Sequence, residues 1–257
     1  MKISGFIEES MLDYPGRLSA VIFTAGCNYK CPACHARQII QGESYEENKP
    51  SEKEIFDYLD SNKKWIDGVV LCGGEPTKQF GLVNFARKLK EEGLAVKLDT
   101  NGSNFAVLGE LLEEKLVDYI AMDIKGPPSL YKKIIGLNDE DYFDLRDHVE
   151  KGIETTQNAP DYEFRTTVVP IKRENGGLSW MNQQEAREMA EWVHSHTWSK
   201  PGKWYIQKFV ARTKDEMLDE RFCKENLPAE MRETPHKILE TIRDAVSKYF
   251  PNAKIRE

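Results

Sequence analysis

The chain has 257 residues, 40% of them hydrophobic and 31% charged, which is enough apolar side chain for a sizeable core and excludes a disordered or fibrous protein. Lys and Arg number 36 against 43 Asp and Glu, and a net charge of -7 offers no general attraction for phosphate backbones or anionic lipid. Apolar stretches such as Ala20 to Ala25 fall far short of the roughly 18 residues of a membrane span, and Met1 to Ser10 lacks the layout of a signal peptide, so we expect a cytoplasmic protein with neither nucleic acid nor membrane as partner.

Apolar runs and amphipathic segments alternate along the chain. Leu18 to Thr24 reads as a buried strand, Glu52 to Lys63 as a helix, Gly68 to Cys72 as a strand and Phe80 to Glu92 as a helix. Ala95 to Asp99 is a short strand, Val107 to Lys115 a helix, Asp118 to Asp123 a strand and Asp141 to Gln157 a helix. Glu163 to Val169 is a strand, Asn182 to His194 a helix, and Trp204 to Phe209 a last strand. Strands and helices in alternation imply parallel neighbours joined by right-handed crossovers, hence an α/β fold with a parallel sheet or an open barrel. Residues 1–210 form this unit. Residues 211–257, where the pattern loosens before a final amphipathic helix from Pro235 to Phe250, are expected to form a C-terminal helical extension packed on it.

Unusual polar residues follow five successive strands. They are Cys27, Cys31 and Cys34; Gly73-Gly74-Glu75-Pro76-Thr77; Asp99-Thr100-Asn101-Gly102; Asp123-Ile124-Lys125; and Val169-Pro170. In a parallel barrel these loops share the C-terminal face, where such folds place their active sites. Five cysteines, three of them in the spacing C-x-x-x-C-x-x-C, do not form the spread pairs of a secreted disulfide framework. Zinc usually takes four protein ligands, and His35, adjacent to Cys34, would reach the same ion only with strain. Three thiolates suit a four-iron cluster with one iron left open. Cys72 and Cys223 read as a buried strand thiol and a lone surface or helix thiol.

Each remaining motif has an ordinary alternative. Gly73 to Pro76 either brings backbone close to a ligand or makes a strand-to-helix turn with Glu75 in its first helical turn. Asp99 and Asp123, one strand apart, either share a cation, proton or donor or each cap a turn. Arg165, inside a strand, either serves the site or sits in a salt bridge or at the surface.

The cysteine loop followed by Gly-Gly-Glu-Pro resembles the radical S-adenosylmethionine enzymes. Leu12-Asp13-Tyr14-Pro15-Gly16, Phe23-Thr24-Ala25-Gly26-Cys27-Asn28, Cys31-Pro32, Asp99-Thr100-Asn101-Gly102, Met122-Asp123-Ile124-Lys125 and Arg165-Thr166-Thr167-Val168-Val169-Pro170 are similar to the activating enzymes of glycyl radical enzymes. The likeness, over residues 3 to about 210, is nearest to the anaerobic ribonucleoside-triphosphate reductase activating branch, with pyruvate formate-lyase activating enzyme more distant. It implies a partial (β/α)6 TIM-like barrel. It also implies a 4Fe-4S cluster on Cys27, Cys31 and Cys34 whose open iron binds S-adenosylmethionine, which is cleaved to a 5'-deoxyadenosyl radical. Cofactor-binding positions are then Gly73, Gly74, Glu75, Pro76, Asp99, Asn101, Lys125 and Arg165. Asp99, Thr100 and Asp123 would hold sodium or potassium.

The implied partners are a glycyl radical enzyme as protein substrate and a flavodoxin- or ferredoxin-like electron donor. Gly42 to Pro50 and Gly126 to Asn138 are the segments expected to contact the protein partner. Two departures stand out: Ala33 replaces the aromatic residue common before the third cysteine, and Gln207-Lys208-Phe209 lacks the histidine of some activases. The superfamily motifs also allow a small-molecule or peptide substrate. A non-catalytic metal-binding scaffold would need no Gly-Gly-Glu-Pro loop.

Overall fold

The structure, a computed structural model, describes residues 1–41, 49–198 and 202–256. The chain opens with an antiparallel pair, β1 (Ile3–Ser10) and β2 (Ser19–Thr24), and α1 (Arg37–Gln41) follows the cysteine loop. Next come α2 (Glu52–Asn62), β3 (Gly68–Gly73), α3 (Leu82–Glu91), β4 (Ala95–Thr100), α4 (Phe105–Glu113) and β5 (Tyr119–Asp123). After them lie α5 (Pro128–Ile135), α6 (Asp139–Thr156), β6 (Asp161–Val168), and a small hairpin of β7 (Ile171–Lys172) and β8 (Leu178–Ser179). The chain ends with α7 (Gln183–Ser195), β9 (Lys203–Lys208), α8 (His236–Ser247) and β10 (Ala253–Arg256). Local signals start several helices. Ser51 with Glu54 and Asn182 with Glu185 make capping boxes at α2 and α7, and Pro128 opens α5.

The large sheet runs β1-β2-β3-β4-β5-β6-β9-β10, with β2 through β10 parallel and β1 antiparallel at one edge. The six strands expected from the sequence are its six consecutive central members, giving the α/β partial barrel. Both edge strands escaped the sequence reading. The C-terminal segment is therefore not purely helical: α8 returns the chain so that β10 lies parallel beside β9. Only four residues long, β10 carries too little pattern to be read before α8 places it. Gly126 to Asn138 likewise holds a helix, α5, seated on the core by Tyr131, Ile134 and Ile135.

Strand alternation divides the interior in two. Ile22, Leu71, Leu98, Ile120, Phe164 and Ile206 face the helices in one continuous core, which also includes Leu239, Ile242, Val246 and Phe250 of the C-terminal segment. The opposite face of the sheet packs Val21, Val70, Ala95, Tyr119 and Ala121 around Tyr14, which closes this smaller core from the β1–β2 turn. A Cβ at Gly68 would lie 3.0 Å from the Tyr14 ring, so a larger residue there would require the ring to shift. No described helix is long and apolar enough to cross a membrane.

This inner face also carries charge. Glu163, 1% exposed, accepts two bonds from the Arg256 guanidinium (2.8 and 3.0 Å) and one from the Tyr119 hydroxyl (2.6 Å). Thus β10 supplies the counterion for a carboxylate that burial would otherwise penalise. We expect Arg256→Ala to lower unfolding stability by about 2 kcal/mol, below the range for a fully enclosed pair because Arg256 keeps partial solvent access. Adding Glu163→Gln should restore much of the loss, as read from urea denaturation of the single and double variants.

Candidate active site

Past β2 the chain turns at Gly26, with φ 80°, into the cysteine loop. Cys27 Sγ accepts from the Tyr29 N–H at 3.3 Å and Cys34 Sγ from the Ala36 N–H at 3.4 Å, while the Cys34 N–H donates to the Cys31 carbonyl at 3.0 Å. Neighbours hold this loop from three sides. The Gly74 and Glu75 N–H groups donate to the Thr24 and Gly26 carbonyls, the Lys30 N–H to the Ile135 carbonyl of α5, and the Leu218 N–H to the Cys34 carbonyl. The segment after β9 thus has a definite place: it clamps the third cysteine.

Burial pushes the Cys27 thiol up to about 11 and the Cys31 thiol up to about 12, and raises Cys34 as well. Three thiols held as neutral groups by burial need a strongly cationic group to become thiolates, and iron supplies that charge. The two N–H donors aimed at sulfur suit thiolates as well. Among the described residues, no three His, Cys, Asp or Glu side chains form a single-ion site. Three cysteines on one loop supply the thiolate donors that a four-iron cluster takes, one to each of three irons. Cys72 lies inside the barrel beside the inner core. Cys223 is fully buried with Phe209, Met217 and Phe222, in place of the surface or helical position expected for it.

The Gly-Gly-Glu-Pro loop crosses the cysteine loop in contact. A Cβ on Gly73, whose φ is 115°, would fall 2.4 Å from the Thr24 nitrogen, and one on Gly74 only 1.9 Å from the Gly26 carbonyl oxygen. No other residue fits either position. Glu75 caps the short turn beginning at Pro76, one place before the first-turn position of its ordinary alternative reading, and it does more than cap. Its carboxylate accepts from the Thr77 N–H (3.0 Å) and hydroxyl (2.6 Å), the Thr100 hydroxyl (2.7 Å) and the Asn101 N–H (2.7 Å). It ties the loops after β3 and β4 together, and burial raises it although these donors oppose the shift. Both Glu75 oxygens are thus engaged by the loops that it joins. What this loop can offer an ammonium group is its carbonyls.

Asn101 extends the tie. Its side chain donates to Asn28 Oδ1 at 2.9 Å and accepts from the Ser103 N–H and hydroxyl, while Asn28 Nδ2 donates to the Ser103 hydroxyl at 2.8 Å. Asn28, Ser103 and Thr77 were not singled out in the sequence as site residues. The available signals were the place of Asn28 beside the first cysteine and of Thr77 at the end of the glycine loop.

At the ends of β4, β5 and β6 a chain of five charges crosses the barrel. Lys97 Nζ is 2.5 Å from Asp99 Oδ1, Arg165 Nη1 2.8 Å from Asp99 Oδ2, Arg165 Nε 2.9 Å from Asp123 Oδ1, and Lys125 Nζ 2.9 Å from Asp123 Oδ2. The donor between the two carboxylates is thus Arg165, whose salt-bridged reading holds. Burial by itself would raise both carboxyls, but Arg165 with Lys97 holds Asp99 below its ordinary range, and Arg165 with Lys125 holds Asp123 down at about 2. Ala33 lines a cavity of about 130 Å³ with Pro32, Val169, Pro170, Ile171 and Phe222. Strand β9 supplies Gln207 and Lys208 in a β6-paired register with no histidine.

This arrangement of a three-cysteine loop, a glycine loop and a charged rim on a partial barrel belongs to a defined class: the chain is a member of the Radical SAM superfamily, whose profile matches residues 21–172. Within it, the chain is 32% identical over 256 residues to a Methanocaldococcus jannaschii protein provisionally named as a glycyl-radical enzyme activating enzyme, covering 99% of this chain and 95% of that one. It is 33% identical over 161 residues to a Pyrococcus abyssi protein provisionally named a GTP 3',8-cyclase, covering 62% of this chain and 49% of that one. In fold it is similar to Streptococcus suis SuiB, solved with its precursor peptide SuiA, with TM-score 0.60 and 13% identity over 96% of this chain and 50% of SuiB. Membership implies a 4Fe-4S cluster and S-adenosylmethionine, which the cysteine set accommodates.

Replacing Cys27, Cys31 or Cys34 by Ala should abolish iron incorporation, whereas Cys72→Ala and Cys223→Ala should retain it. Iron and sulfide analysis after reconstitution checks this. The depressed Asp123 carboxyl contributes stability that is present above its unfolded value of about 4 and lost as pH falls toward 2. Asp123→Asn should therefore flatten the acid limb of a stability–pH profile between about pH 4 and 2, measured by denaturation at stepped pH.

Proposed function

We propose that this protein is an activase that installs a glycyl radical on a partner enzyme of the anaerobic ribonucleoside-triphosphate reductase type. The observation that carries this is the end-to-end correspondence with the M. jannaschii protein: the match spans 95% of that chain, against 49% of the P. abyssi one and 50% of SuiB. The cluster and S-adenosylmethionine, when bound, supply the electron and the 5'-deoxyadenosyl radical that removes a hydrogen atom from the partner's glycine.

The protein's own residues bind, orient and shield. Cys27, Cys31 and Cys34 hold the cluster. Carbonyls of the Gly73–Gly74 loop meet the ammonium of the methionyl group. Lys125, with a side chain 29% exposed, ends the charge chain on its more open side and meets the carboxylate, while Arg165 and Asp123 keep it aimed. Glu75 and Asn101 fix the loops that these groups ride on. The electron comes from a flavodoxin- or ferredoxin-like donor. Of the two segments proposed for partner contact, residues 42–48 lie outside those described. In 126–138 the inner face of α5 supports the cysteine loop, so contact falls to outward residues such as Ser129 and Lys133.

The test is anaerobic incubation of reconstituted protein with reductant, S-adenosylmethionine and the partner enzyme, followed by electron paramagnetic resonance. A glycyl doublet that requires all components is expected. Turnover of a small metabolite with no protein partner present would replace this reading with that of a small-molecule enzyme.

A further inference from the structure

We propose that Lys97 completes a built-in cation set: with Arg165 it occupies the Asp99 oxygens that sodium or potassium was expected to bind, so this protein holds a carboxylate-bearing cofactor without a metal ion there. The inference rests on superfamily membership alone and is independent of the identity of the partner.

The expected ion ligands were Asp99, Thr100 and Asp123, and all three are engaged by the protein itself. Both Asp99 oxygens face cationic nitrogens, Lys97 Nζ at 2.5 Å and Arg165 Nη1 at 2.8 Å. Both Asp123 oxygens do so too, with Arg165 Nε and Lys125 Nζ each at 2.9 Å. The Thr100 hydroxyl donates to Glu75 Oε1 at 2.7 Å and accepts from the Gly102 N–H at 3.1 Å. Every carboxylate oxygen already faces a cationic nitrogen, so a metal ion would have to share each of them with a resident positive charge. Lys97, Arg165 and Lys125 already outnumber the two carboxylates, and a metal ion would be a fourth positive charge in the same buried chain.

Lys97 is held in this place by its surroundings. It stands on β4 with its side chain 4% exposed, paired in register with Val70 on one side and Tyr119 on the other, and its ammonium lies 6.0 Å from the centre of the Tyr119 ring. Displaced from Asp99 it would be a charge among apolar and aromatic groups, at a cost that the pair avoids. The surplus of one positive charge in the chain is what the carboxylate of a zwitterionic ligand would balance.

The experiment uses cluster-reconstituted protein and measures S-adenosylmethionine binding by calorimetry in sodium, potassium and tetramethylammonium chloride at equal ionic strength. Thermal melting of the same samples without S-adenosylmethionine gives a second readout. Wild-type affinity and melting should agree across the three salts to within about twofold and about one degree. Lys97→Met should bind about tenfold more weakly in tetramethylammonium, with affinity and melting temperature partly restored by sodium or potassium but not by the bulky cation. Wild-type binding that rises tenfold when sodium or potassium replaces tetramethylammonium would overturn the proposal. So would a folded Lys97→Met with full affinity in tetramethylammonium. If that variant does not fold, the wild-type salt comparison decides alone.

Discussion

Arg165 holds two carboxylates that come from neighbouring strands, and the barrel's mouth depends on that arrangement. Each member of the series from Lys97 to Lys125 would be costly alone in this interior, and each is tolerated because an opposite charge stands beside it. The pairing follows from strand register: Asp123 is the partner of Arg165 across β5 and β6, and Asp99 lies opposite Ala121, a small residue that leaves room for the guanidinium. A slip by one residue would turn these charges toward the helices. The buried charges therefore also specify the register of the sheet.

The cysteine loop depends on the same logic of mutual support. It has no regular structure of its own, and its shape comes from contacts with the Gly-Gly-Glu-Pro loop, α5 and the segment around Leu218. Close crossing at Gly73 and Gly74 fixes its base, and the Asn28–Asn101–Ser103 bonds fix its flank. A platform for a reactive cofactor gains from such rigidity, since water and oxygen must be kept out and the ligand kept in one orientation. The C-terminal segment contributes at both ends of the barrel. Residues near Leu218 brace the third cysteine, and Arg256 neutralises Glu163 deeper inside.

Much of the architecture was legible because it is written in local pattern. Six apolar runs of strand length, each followed by an amphipathic helix, can form few structures other than a parallel sheet with helical crossovers. The cysteine spacing and the strand-end position of the polar motifs were equally local. What escaped was short or amphipathic without a clean period: β1, α1, α5, the β7–β8 hairpin and the four residues of β10. Their structure is conferred by the edges and grooves they dock on.

The sequence by itself determined which residues gather at the C-terminal face, because chain order and strand alternation place them there. Only the tertiary structure decided what they do to one another. Glu75 could be read as part of a ligand-binding loop or as a residue of a first helical turn, and it is a brace because Thr100 and Asn101, 25 and 26 residues further on, arrive within hydrogen-bond distance. Asp99 and Asp123 could be read as a pair sharing a cation, proton or donor, and their oxygens face Lys97, Arg165 and Lys125. The reason is physical: a carboxylate's partner is fixed by which cation is nearest in space, and distances across a sheet depend on register, twist and closure, none of which is encoded in the spacing of residues along the chain.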